Sequence, residues 1–145
     1  MSFDMYLNKK IEVDTEYSNI TGTIALQREN TPITIRFDKL KFIVERQAAW
    51  HNAYSIHQWL IDNVQNGCDN DGYYEVSGEK LLKLVDICKK ILENKDLAKT
   101  LLPSVDSYGT ENQEYNEHYF KQLKDVIEQL KDVEKDAYYE YSSGW

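Results

Sequence analysis

A chain of 145 residues is long enough for one domain with a buried core. Hydrophobic residues at 41% and charged residues at 29% exclude global disorder, and no apolar run nears the ~20 residues of a membrane span. The net charge of −8 disfavours direct binding to nucleic-acid phosphates, which needs clustered lysine and arginine, and suits a basic protein groove.

The N-terminus carries no signal-peptide pattern, so the expected location is the cytoplasm. Alternation over residues 3–13 predicts a first strand. Gly22 to Arg28 and Ile33 to Phe37 predict two more, joined as a hairpin through Glu29-Asn30-Thr31-Pro32. A long helix is expected from Asp38 to Asn66, with Phe42, Ala49, Ala53, Ile56, Leu60 and Val64 on one stripe. Gly67 should end it in a left-handed conformation.

Tyr73 to Val76 predicts a short strand, and Ser77 should cap a second helix over Gly78–Glu93. A turn or two over Asp96–Leu102 should stop at Pro103, and residues 104–114 read as a loop. A third helix is expected over 115–135, with Tyr119, Leu123, Val126, Leu130 and Val133 inward. The aromatic tail, Tyr138 to Trp145, should dock as an edge strand. The fold class is therefore α+β, a small antiparallel sheet with about three helices packed on it, in a single domain spanning 1–145.

On the expected long helix, Arg46, Trp50 and His57 share one flank. Arginine supplies charge, tryptophan a stacking surface and histidine a donor or proton carrier, a set suited to an anionic or planar ligand. Asn63, Asp69, Asp71 and Tyr74 add hydrogen-bonding groups in and beyond the helix end, completing the candidate ligand site. The alternative is structural: the arginine stretches to solvent, the tryptophan packs and the histidine satisfies a carbonyl.

Asp69-Asn70-Asp71-Gly72 does not match a calcium loop, because Gly67 and Gly78 stand where carboxylates are required. The three histidines and two cysteines form no metal-ligand spacing, and neither metal nor cofactor is expected. Support for catalysis is thin, limited to His57 with Cys68 or a loop aspartate, and no catalytic residue is assigned. Eleven tyrosines suit a recognition surface, for which Tyr108, Tyr115, Tyr138, Tyr139, Tyr141 and Trp145 are the candidates.

Several stretches look familiar. They are Ser2-Phe3-Asp4-Met5-Tyr6-Leu7, Ile56-His57-Gln58-Trp59, Asn63 to Asp69, Leu101-Leu102-Pro103, Glu114 to Tyr119, and the closing tyrosines, serines and tryptophan. Together they resemble a family of small proteins from phages and prophages of Gram-positive bacteria. That resemblance implies a phage accessory gene, a setting where counter-defence proteins are common, and an infected bacterial host as the compartment. It implies no reaction.

The leading expectation is a non-enzymatic, phage-encoded inhibitor of anti-CRISPR type. Its acidic, tyrosine-rich surface would engage a host defence protein or nucleic-acid-binding effector. A sponge for a nucleotide-like signal is the alternative, and a small hydrolase or transferase a further one. A structural or regulatory role without any pocket is the fourth, and an oligomer is compatible with all four.

Overall fold

The computed structural model describes residues 2–14, 16, 20–105 and 115–145. Its secondary structure runs β1 (Asp4–Glu12), β2 (Leu26–Arg28), β3 (Thr31–Ile33), β4 (Phe42–His51), α1 (Tyr54–Val64), β5 (Tyr73–Ser77), α2 (Gly78–Glu93), α3 (Ala98–Leu101), α4 (Glu117–Gln129) and β6 (Tyr138–Gly144). Short 3₁₀ turns precede β4 and α3, at Phe37–Lys39 and Lys95–Leu97. The class is α+β, with a four-stranded antiparallel sheet and a separate two-stranded ribbon. No helix among the described residues is long and apolar enough to cross a membrane.

The chain divides into two compact units. One comprises residues 1–9 and 46–145, the other 10–45. The smaller unit contains the β2–β3 hairpin, whose two-residue turn places Glu29 and Asn30 at positive φ, 47° and 66°. That geometry shortens the expected four-residue connection to two and leaves Pro32 inside β3, opposite Gln27. Val13 is buried there, and its N–H donates to Lys41 O at 2.8 Å.

In the larger unit the sheet order is β4-β1-β6-β5. The expected helix over 38–66 is corrected: its first half is strand β4, and only residues 54–64 are helical. Asn52 divides the two at φ 53°, a left-handed conformation that asparagine tolerates. Its backbone N–H donates to Phe3 O and its Oδ1 accepts from Phe3 N, both at 2.8 Å, which pins the break to the first strand. Ala53, Ile56 and Leu60 are buried as the helical stripe requires, whereas Phe42, the expected start of that stripe, is exposed.

Asn66 and Gly67 both take positive φ after α1, and Gly67 N–H donates to Ile61 O at 3.0 Å to close the helix. Helix α2 has the expected bounds, and the Ser77 side chain accepts from Lys80 N. Gly78 is obligatory, because a Cβ there would stand 1.8 Å from the Glu134 carbonyl oxygen. Helix α4 is shorter than expected. It ends at Gln129, so the buried Leu130 and Val133 belong to the turn beyond it.

Strand β6 is not an edge. It lies between β1 and β5, pairing Leu7 with Tyr141 on one side and Tyr74 with Tyr141 on the other. Inward positions alternate along all three strands, with Met5, Leu7, Val76, Tyr139 and Tyr141 in the core beside residues of α1, α2 and α4. Outward positions of the same strands are half-buried or exposed.

Candidate functional site

Arg46, Trp50 and His57 are not brought together, because two of them belong to a strand. Arg46 is exposed on β4, its guanidinium 4.3 Å from the Tyr6 ring centre and its Nε donating to Asn8 Oδ1 at 2.7 Å. Trp50 is buried, and its indole N–H finds no acceptor among the described residues. His57 is fully buried in α1. A single pocket built from all three is therefore absent from the arrangement.

His57 anchors a three-residue chain instead. Its Nδ1 lies 2.6 Å from the Tyr141 hydroxyl and its Nε2 3.0 Å from Asp69 Oδ1, while Phe3 packs edge-on at 4.6 Å. A carboxylate can only accept, which assigns the proton to Nε2 and leaves Nδ1 to receive the Tyr141 O–H. Burial holds the imidazole below its ordinary pKa, and the Asp69 charge and hydrogen bond oppose that shift. Asp69 is 47% exposed at its side chain, so the chain runs from core to surface. An imidazole with both nitrogens engaged and no exposed atom offers nothing to a substrate. It ties β6 and the 65–72 loop to α1.

The remaining ligand candidates scatter. Asn63 Nδ2 donates to Trp59 O, and its own carbonyl accepts from Lys80. Tyr74 donates to Asn70 Oδ1 at 2.5 Å, the same oxygen that receives Gly72 N–H. Asp71 lies elsewhere, on the rim of a shallow cavity of about 270 Å³ on the outer sheet face, with Asp4, Tyr6, Tyr73, Ser142 and Trp145.

Of the surface candidates, Tyr138 and Trp145 are exposed at 58% and 60%. Trp145 leans on Phe3 and Tyr54, with centroids 5.0 Å and 6.2 Å away. Tyr139 and Tyr141 are corrected to core residues, since β6 is central and odd positions face inward. The Tyr139 hydroxyl accepts from Glu134 N at 3.0 Å. Tyr115 accepts from Ser104 N and stacks edge-on to Tyr119. Tyr108 lies outside the described residues.

The outer face reads as rows across three strands. One row is Tyr6–Ser142–Tyr73, the next Asn8–Glu140–Glu75. Glu140 and Glu75 are directly opposed, like charges that weaken the sheet, and neither forms an ion pair among the described residues. Asp4 adds a third carboxylate, held below its ordinary pKa chiefly by the hydrogen bond from His51 at 2.6 Å. Tyr73 beside the 69–72 loop was a legible rim residue, whereas Tyr6, Glu75 and Glu140 were not. The strand alternation that places them was legible, but the pairing of distant strands into rows was not.

Among the described residues no cluster of three or more histidine, cysteine or acidic side chains could hold a metal. Cys88 is buried with its thiol pushed up to about 12, an inert packing residue, whereas Cys68 is exposed. No family model matches the sequence, and no curated protein or solved structure matches it either.

Proposed function

We propose that this chain is a binding protein whose outer sheet face docks on a basic surface of a partner protein. One observation carries the reading: exposed tyrosine and unpaired carboxylates occupy adjacent rows of an open sheet face, and one pair of those carboxylates opposes its own kind. Tyrosine gives contact area at low entropic cost, and carboxylates left without cations suit a partner that brings them. A nucleic-acid-binding effector of a host defence system has the required basic groove. Counter-defence inhibition by a phage-encoded protein is the biological form of this proposal.

The test is DNA binding by an RNA-guided effector, measured by gel shift with increasing protein. Wild type should reduce complex formation, and Glu75→Lys with Glu140→Lys should abolish that effect while leaving the unfolding midpoint within the range of a surface change. Undiminished inhibition by the double variant would remove the outer face from the account.

A second reading, sequestration of a nucleotide-like ligand, is favoured by a different feature. A cavity of about 480 Å³ is lined by Lys95, Lys99, Asp96, Tyr115 and Phe120, with Lys95 4.7 Å over the Phe120 ring. Two ammonium groups beside two aromatic rings suit a planar anion, although Asp96 opposes it. Native mass spectrometry of protein purified from a bacterial host decides this. A nucleotide-sized adduct lost in Lys95→Ala and Lys99→Ala supports it, and an unliganded mass removes it.

A further inference from the structure

The row Tyr6–Ser142–Tyr73 places a tyrosine on either side of one serine, yet the two rings are used differently. Tyr6 already holds a cation, the Arg46 guanidinium, with Asn8 receiving one of its N–H groups. Tyr73 is 73% exposed, and its side chain has no ring contact or hydrogen bond among the described residues. Two residues before it, Asp71 likewise has no hydrogen bond or ion pair among them. Both residues line the shallow cavity of about 270 Å³ together with Ser142 and Trp145.

We propose that this cavity receives an arginine side chain of the partner, stacked on Tyr73 and paired with Asp71. The proposal rests on the outer face being the docking surface and assigns its specific subsite. It repeats between molecules what Arg46 and Tyr6 do within this one. A guanidinium fits better than an ammonium, because its flat face can lie on the ring while its N–H edge reaches a carboxylate and the Ser142 hydroxyl oxygen. The cavity is shallow and open to solvent, a shape for a side chain arriving on a surface rather than for an enclosed metabolite. Net charge of −8 supplies the long-range attraction.

The test uses fluorescein-labelled peptides of four Arg-Gly or four Lys-Gly repeats and reads anisotropy at low salt. Wild type should bind the arginine peptide more tightly than the lysine peptide. Tyr73→Ala and Asp71→Asn should each weaken it about fivefold, the order expected of one exposed cation–π or charge contact, with Tyr73→Phe retaining near wild-type affinity. Full affinity in Tyr73→Ala and Asp71→Asn, with loss in Glu75→Gln plus Glu140→Gln, would overturn the subsite and keep the docking face. No binding by wild type would overturn both. Both altered side chains are exposed, so unfolding midpoints should match wild type and keep any loss attributable to binding.

Discussion

Tyrosine has two opposite uses on the two faces of the same sheet. On the inner face Tyr139 and Tyr141 are fully buried, and each hydroxyl has a fixed partner, Glu134 N–H for one and His57 Nδ1 for the other. On the outer face Tyr73 and Tyr138, also borne on β5 and β6, keep most of their surface in solvent. A buried hydroxyl must be satisfied because its desolvation is costly, so the inner tyrosines are committed to the fold. The side chains of Tyr73 and Tyr138 make no hydrogen bond or ring contact among the described residues. The contrast separates tyrosines that the fold uses from tyrosines left to solvent more sharply than residue type does.

That contrast breaks most visibly at Tyr141. Tyr141→Ala should cost about 3–5 kcal/mol by emptying a core position, and Tyr141→Phe about 1–3 kcal/mol by leaving His57 Nδ1 buried without its donor. Urea unfolding followed by far-UV circular dichroism measures both. A Tyr141→Phe variant as stable as wild type would mean that the hydroxyl contributes nothing.

His57 sharpens the same comparison through pH. Its folded pKa lies below the ordinary 6.5, so below that pH the unfolded chain binds a proton that the native chain does not. The stability that His57 contributes is complete above pH 6.5 and declines as pH falls through the lower folded value. Unfolding free energy measured from pH 7.5 to 5 should drop, and His57→Gln should flatten that drop. An unchanged slope in the variant would assign the acid sensitivity to other groups.

The outer face should give the smallest effects on stability. Tyr73→Ala and Tyr138→Ala should each change it by less than about 0.5 kcal/mol. Glu140→Gln should raise it by a few tenths of a kcal/mol, roughly the relief expected from removing a like-charge cross-strand pair. Thermal melts resolve the direction. Destabilisation by Glu140→Gln would mean that this carboxylate has a stabilising role inside the protein.

Where local chemistry decided the structure, the sequence was sufficient. Ser77, Gly78 and the inward leucines set α2, and Gly67 ended α1 as expected. The segment 38–66 was illegible for a specific reason. Phe42 to His51 fits a helical stripe as well as a strand, and what decides is a tertiary contact, Asn52 bonded to Phe3. The same limit hid the candidate site. Asp71 was singled out from its loop, but its association with Tyr73, Ser142 and Trp145 depends on β6 entering the middle of the sheet, which alternation within one segment cannot reveal. The strand β4, in place of the expected helix, likewise sets Arg46 beside Tyr6 on the neighbouring β1.

Amide chemical-shift mapping would locate the docking surface on the outer sheet face or exclude it from there. Uniformly ¹⁵N-labelled protein would be titrated with the unlabelled arginine peptide. Docking on the outer face should gather the perturbed amides in residues 4–8, 71–75 and 140–145, with α2 and α4 unchanged. Perturbations centred on Lys95, Lys99 and Phe120, or none at saturating peptide, would contradict it.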